Sequence, residues 1–67
     1  MIELDNEIIE LLETMEEQLS FAAEDSVKFI QGNNSAGTRV RKAMQNIKDL
    51  AQRVRIEVQA QKNGVPV

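Results

Sequence analysis

The fold is decided by the stretch Gly32-Asn33-Asn34-Ser35-Ala36-Gly37-Thr38-Arg39-Val40-Arg41-Lys42, which separates two long helical patterns. Gly32 has no Cβ and can adopt the left-handed backbone conformation that ends a helix. Ser35 carries a hydroxyl that can accept a hydrogen bond from an unpaired backbone N–H, which predicts it as the N-cap of the next helix. The stretch therefore predicts a helix end, a short connection and a helix start.

The sign of the charge reverses at the same stretch. Residues 1–30 contain nine acidic side chains and one lysine, whereas residues 31–67 contain two acidic and seven basic side chains. The first part therefore carries a net charge of about −8 and the second about +5, within a chain of net charge −3. One surface of the molecule can thus be basic although the whole molecule is acidic.

The composition restricts the class of protein. A chain of 67 residues forms one domain and buries little apolar surface alone, so it usually needs disulfides, a metal or oligomerisation. Cysteine and histidine are both absent, which excludes disulfides and removes the usual zinc ligands. Only Phe21 and Phe29 are aromatic, and this favours a helix bundle over a β-fold.

The sequence predicts no membrane or secretory segment. No apolar run approaches the ~20 residues of a membrane span. The first residues are acidic, whereas a cleaved secretory signal begins with a basic segment. We therefore expect a cytoplasmic protein, in a host cytoplasm or packaged in a virion if a virus encodes it.

The first helical pattern runs from about residue 2 to residue 30. Its apolar seam alternates spacings of four and three residues, a repeat of 3.5: Ile8, Leu12, Met15, Leu19, Ala22, Ser26 and Phe29. Further apolar side chains widen that side enough to touch two neighbouring helices: Leu4, Ile9, Leu11, Ala23 and Ile30. Glutamates recur every seven residues on the far side and predict a solvated ridge: Glu3, Glu10, Glu17 and Glu24.

The second helical pattern runs from about residue 36 to residue 62. Its seam has the same spacing: Val40, Met44, Ile47, Ala51, Val54, Val58 and Gln61. A stripe of basic residues and glutamines lies beside it: Arg41, Gln45, Lys48, Gln52, Arg55, Gln59 and Lys62. Gly64 and Pro66 predict the end of the helix and a short tail over residues 63–67.

These patterns predict an all-α fold, a single antiparallel helical hairpin over residues 1–67 with a connection at about 31–35. Two helices with such wide apolar sides cannot cover each other. We therefore expect two hairpins to pair as a homodimer, a four-helix bundle. The predicted core and dimer residues are Ile8, Leu12, Met15, Leu19, Val40, Met44, Ile47 and Val54.

The sequence favours neither catalysis nor a cofactor. Histidine, cysteine and tyrosine are absent, which removes most general acid–base groups and the strongest nucleophile. A row of glutamates spaced three apart lacks the histidine that bundle metal sites add three residues after a glutamate: Glu7, Glu10, Glu13 and Glu16. We expect no metal site, and Gly32 and Gly37 do not have the spacing of a phosphate-binding loop.

Seven basic residues are the remaining candidates for function: Arg39, Arg41, Lys42, Lys48, Arg53, Arg55 and Lys62. They could contact the phosphate backbone of double-stranded DNA, with the first three also near unpaired N–H groups at a helix start. Alternatively, the stripe faces the acidic first helix and forms interhelical ion pairs. The net charge of −3 argues against general DNA binding, whereas the charge asymmetry supports it.

The junction and the later Arg53-Val54-Arg55 resemble the N-terminal region of the bacterial linker-histone-like proteins of chlamydial type. The chain looks most like the short members that some tailed bacteriophages encode. The resemblance covers about residues 8–59, and its most specific part is the pattern Gly-Asn-x-x-Ala-Gly-x-Arg-x-Arg-Lys. It implies a DNA-binding, chromosome-condensing protein, with Arg39, Arg41 and Lys42 as the first contact candidates. The long lysine- and alanine-rich tail of the chlamydial proteins has no counterpart in this sequence.

Two functional hypotheses follow. The first is a small histone-like protein that binds DNA as a dimer without base specificity. The second is a dimeric hairpin without a nucleic-acid role, which binds a protein partner through its acidic first helix or forms part of a virion. Neither is an enzyme.

Overall fold

The computed structural model describes residues 6–64, which form two antiparallel helices. Helix α1 spans Glu7–Ile30 and helix α2 spans Asn34–Gly64. The prediction of an all-α helical hairpin is confirmed. The predictions that involve Glu3, Leu4 and Pro66 fall outside the described residues.

Helix α1 has a hydrogen-bonded cap at each end. At its start, the Asn6 side chain accepts a hydrogen bond of 2.8 Å from the Ile8 N–H. At its end, Gly32 adopts φ 109° and donates to the Phe29 carbonyl at 2.9 Å. The next N–H, that of Asn33, donates to the Lys28 carbonyl at 3.0 Å, which completes a Schellman motif. A residue with a Cβ would be strained at Gly32, so glycine is required there.

Helix α2 begins two residues earlier than the sequence pattern predicts, because Asn33 caps it instead of Ser35. The Asn33 Oδ1 accepts a hydrogen bond of 3.1 Å from the Ala36 N–H. Ser35 lies within the first turn and is exposed. The Schellman motif already closes the connection at Asn33, so this residue occupies the N-cap position and its short amide reaches the third helical N–H.

Small side chains allow the two helices to approach closely. The buried residues of the described hairpin are Leu11, Ala22, Ala36 and Ala43, and among them only Ala36 is completely inaccessible. A Cβ built on Gly37 would lie 2.5 Å from Cδ1 of Phe29, so the Phe29 ring packs directly over the glycine backbone. The core is therefore thin and consists mainly of alanine.

The contact between the helices covers only part of the predicted seam. Five of the predicted core residues are half-buried: Ile8, Met15, Val40, Ile47 and Val54. In contrast, Leu12 is 43 % exposed, Leu19 52 % and Met44 42 %, because the buried positions of α1 follow Leu11 and Ala22 instead. A single neighbouring helix covers one half of the wide apolar side and leaves the other half uncovered. The assignment of these three residues to a dimer contact stays a prediction.

The hairpin is one helix thick. Its extents are 55 × 27 × 10 Å, and 10 Å is about the diameter of a helix with its side chains. No second layer lies on either broad side of the described hairpin. Both broad sides are therefore available as surfaces.

Candidate nucleic-acid interface

Arg39 and Arg53 form ion pairs with α1. Nε and Nη2 of Arg39 both donate to Oδ1 of Asp25, at 3.1 and 3.0 Å, and Nη2 of Arg53 lies 3.6 Å from Oε1 of Glu7. The hydrogen bond from Arg39 holds the pKa of the Asp25 carboxyl below its usual value and raises the pKa of the guanidinium. These two arginines are thus engaged with carboxylates of α1, in exposed pairs that contribute little to stability.

Four of the other basic residues form a continuous line along α2, here called the basic row. Its members recur every seven residues and are exposed: Arg41, Lys48, Arg55 and Lys62. None of them has an ion-pair partner among residues 6–64. The basic row extends over 21 residues, or about 31 Å of helix. Its four positive charges are therefore not neutralised by the acidic helix of the same chain.

The basic row and the ion pairs lie on opposite broad sides of the hairpin. Each residue advances about 100° around a helix. The two arginines that reach α1 consequently lie about half a turn from Lys48 and Arg55 on α2. On α1, Leu12 and Leu19 lie more than a quarter turn from the acidic residues of the ion pairs. We call the side with the ion pairs the ion-pair face and the opposite side the apolar face.

The apolar face combines exposed apolar side chains with a charged border. Its α1 half presents the exposed Leu12, Leu19 and Ile30, and its α2 half presents the exposed Met44 and Val58 beside the half-buried Ala51. The basic row borders it along α2. At the connecting end, a shallow pocket opens between Phe29, Gly37 and Arg41.

The basic cluster at the start of α2 is divided between the two faces. Arg41 lies beside the pocket on the apolar face, whereas Arg39 and Lys42 line a groove with Phe21 on the ion-pair face. Side chains that are two residues apart in a helix point about 200° apart around the helix axis. These three residues, although close in sequence, therefore cannot bind one phosphate together.

One polar contact between the helices was not predicted from the sequence. The side chains of Asn6 and Gln61 exchange two hydrogen bonds of 3.0 Å, and Gln61 also donates to Glu57 at 3.2 Å. Gln61 was placed on the apolar seam, and a glutamine at a seam position is a signal for such a polar contact. The amide pair aligns the start of α1 with the end of α2.

Within residues 6–64 no group of three or more acidic side chains has the arrangement of a metal site. No helix in that range is long and apolar enough to span a membrane.

The geometry defines a class of protein, a small all-α hairpin that presents a line of unpaired basic side chains along one helix. The chain belongs to the family of the histone H1-like protein Hc1, whose family model matches residues 9–64. The match includes the junction and nearly all of both helices, and it confirms the histone-like family suggested by the sequence. Searches of curated proteins and of solved structures returned no match.

Proposed function

We propose that this protein is a small histone-like protein that binds double-stranded DNA through the phosphate backbone and acts as a dimer. The basic row carries the proposal, because its four charges have no ion-pair partner within the described chain. Membership of the histone H1-like family supports the same function. The alternative suggested by the sequence, in which the stripe pairs with α1 of the same chain, is not realised among residues 6–64.

The shape of the basic row suits a phosphate backbone. It is straight, exposed and about 31 Å long, and a helix holds its members at regular distances. Arginine can donate two parallel hydrogen bonds to a phosphate, and lysine contributes a point charge. Three exposed glutamines lie next to it and can add neutral hydrogen bonds to phosphate or sugar: Gln45, Gln52 and Gln59. Contacts of this kind position a protein on DNA without base specificity.

The seven basic candidates do not contribute equally to this surface. Arg39 and Arg53 would have to leave Asp25 and Glu7 before they could bind phosphate. Lys42 lies on the ion-pair face, away from the basic row. We therefore expect the basic row to dominate DNA binding, and the other three residues to contribute little.

Fluorescence anisotropy of a labelled duplex of ~30 base pairs, at several salt concentrations, tests the proposal. Neutralisation of four phosphates per chain gives a log–log salt slope of about −3.6 per chain. Replacing the basic row by glutamine (R41Q, K48Q, R55Q and K62Q) should abolish most of the binding at low salt. The control R39Q, K42Q and R53Q removes charge from the ion-pair face and should largely retain binding. A flat salt response, or equal loss in both variants, contradicts the proposal.

A protein-interaction hairpin is the second candidate function, and the exposed apolar face favours it. In that case the protein would not bind DNA at low salt, although circular dichroism would show it folded. Its site of action would be the host cytoplasm or a virion, as the likeness to phage-encoded members suggests. Either function uses a dimer, and the arrangement of that dimer determines where the basic row lies.

A further inference from the structure

We infer that the pocket at the connecting end of the hairpin binds one unstacked base of a DNA strand, while Arg41 binds a phosphate of the same strand. This inference rests on the proposed function and deepens it. The basic row binds the backbone of a duplex, and the pocket adds a preference for DNA that contains an unpaired base. Such a base occurs at a bulge, at a strand end or in a single-stranded segment.

Both helices contribute to the pocket, which has a volume of about 480 Å³. Phe29 and Ser26 of α1 line one side, and Gly37 and Val40 of α2 line the other. Glycine has no side chain, so the surface of α2 has a depression at Gly37, where a Cβ would collide with the Phe29 ring. A concave apolar surface with a few polar groups is the usual form of a small-ligand site.

The aromatic ring in this pocket is accessible to a ligand. Phe29 is 50 % exposed, although part of its ring packs over Gly37. Bases that are not stacked in a duplex bind to aromatic side chains, and every base has a flat π-face that suits this contact. The ring therefore favours a planar base, whatever its identity, over a branched aliphatic ligand.

Polar side chains form the rim of the pocket: Ser26, Asn34 and Thr38. The side chains of Asn34 and Thr38 have no hydrogen-bond partner within residues 6–64. The Ser26 hydroxyl donates to the Ala22 carbonyl at 2.7 Å, which leaves its oxygen available as an acceptor. The rim thus offers both donors and acceptors. The edge of a base has both as well, whereas a simple carboxylate has acceptors only.

The pocket adjoins the end of the basic row. Asn34 precedes Arg41 by seven residues, so it continues the line of the basic row towards the connection. Arg41 itself lines the pocket and has no ion-pair partner among residues 6–64. Its guanidinium can donate two parallel hydrogen bonds to a phosphate. A strand whose phosphates follow the basic row is thereby led to the pocket.

Charge favours this pocket over the groove on the ion-pair face. That groove also contains an exposed aromatic ring, that of Phe21, but Asp25 lines it as well. Glu17 and Glu24 lie about one turn before and after Phe21 on α1. These carboxylates repel phosphates. Among the residues that the structure describes, no acidic side chain lines the pocket at Gly37.

The pocket lies towards one end of the apolar face. The predicted dimer contact includes Leu12, Leu19 and Met44, and Gly37 lies about 10.5 Å beyond Met44 along α2. A dimer that uses the middle of the apolar face therefore leaves the pocket open to DNA.

Fluorescence anisotropy with three labelled DNAs tests the inference. The first is a perfect duplex of ~30 base pairs, and the second carries one unpaired thymine in the middle. The third has an abasic residue in place of that thymine, which keeps the flexibility of a bulge without its base. The native protein should bind the thymine bulge about 5- to 50-fold more tightly than either other DNA at the same salt concentration.

Variants of the pocket should abolish this preference and still bind the perfect duplex. N34A with T38V removes hydrogen-bonding groups at two exposed positions of the rim. F29L keeps an apolar side chain over Gly37 but removes the ring on which a base stacks. Circular dichroism shows whether each variant is folded. The rim variant changes exposed side chains only, so the test does not depend on the folding of F29L.

Two control variants match these changes outside the pocket. Q45A with Q59A removes two exposed polar side chains beside the basic row. F21L removes the exposed ring on the ion-pair face. Both controls should retain the native preference for the thymine bulge.

The comparison of the three DNAs decides the inference. Equal binding of the thymine bulge and the abasic bulge indicates a preference for flexible DNA and overturns the base pocket. Equal loss of the preference in pocket and control variants overturns it too. Salt-dependent binding of the perfect duplex, without a preference for the bulge, leaves the proposed function standing and the inference refuted. Binding of the thymine bulge alone, abolished by the pocket variants, supports the base pocket and contradicts the proposed duplex-binding function.

Discussion

The two broad faces of the hairpin differ in how their charges are satisfied. On the ion-pair face, Arg39 and Arg53 bind carboxylates of the same chain. On the apolar face, leucines are half exposed and the basic row has no partner among residues 6–64. The difference indicates that one face serves the folding of the single chain, and that the other is suited to binding something outside it.

The strongest test of this comparison replaces an apolar side chain on each face by aspartate. L19D would bury an unpaired carboxylate in the predicted dimer contact and should weaken dimerisation by about 100-fold or more. Phe21 lies on the ion-pair face and is 60 % exposed, so F21D is a matched control that should leave the dimer intact. Sedimentation equilibrium measures the dimer dissociation constant of each variant. Equal weakening by the two variants would show that the faces do not differ in this way.

The caps at the connection should affect stability without distinguishing the faces. N33A removes the side-chain acceptor of the Ala36 N–H and should lower the free energy of unfolding by about 1 kcal/mol. S35A changes an exposed residue inside the helix and should have an effect of less than about 0.5 kcal/mol. Urea denaturation compares the free energies of unfolding of the two variants. A larger loss for S35A would restore Ser35 as the cap.

The smallest expected effect is the pH dependence of the stability that the Asp25–Arg39 ion pair contributes. The folded pKa of Asp25 is lowered by its hydrogen bond with Arg39, so the ionised carboxylate stabilises the fold. This stabilisation is complete above the unfolded pKa of about 3.9 and is lost as the pH falls through the lower folded value.

The pair is exposed, so the change in stability should be small, and it is best measured as a difference between R39Q and the native protein. That difference should disappear at the acidic end of the titration. An NMR titration of the Asp25 carboxyl should show its midpoint rising towards the usual value in R39Q. An unchanged midpoint would mean that the ion pair does not persist in solution.

Much of the fold could be predicted from local sequence signals. The 3.5-residue repeats and Gly32 predicted two helices and a hairpin, since periodicity and a left-handed glycine depend on neighbouring residues only. The cap was misassigned to Ser35, because both Asn33 and Ser35 have suitable side chains. The geometry of the Schellman motif decided between them in favour of Asn33.

The candidate site was harder to predict. Arg39, Arg41 and Lys42 form one group in the sequence. The helix places Arg41 on the apolar face and the other two on the ion-pair face. The four members of the basic row were all predicted as candidates. To tell them apart from Arg53, which pairs with α1, one must know which side of α2 faces α1. The sequence of a single helix does not specify that side.

The sequence by itself determined the two helices, their antiparallel connection, the reversal of charge and the resemblance to the histone-like family. These follow from composition, periodicity and a few turn residues, all of which act locally. Only the tertiary structure decided which half of each apolar side is buried and which basic residues are paired. Close approach at Ala22 and Ala43 sets the rotation of each helix, and that rotation leaves the basic row on the apolar face without a partner in its own described chain.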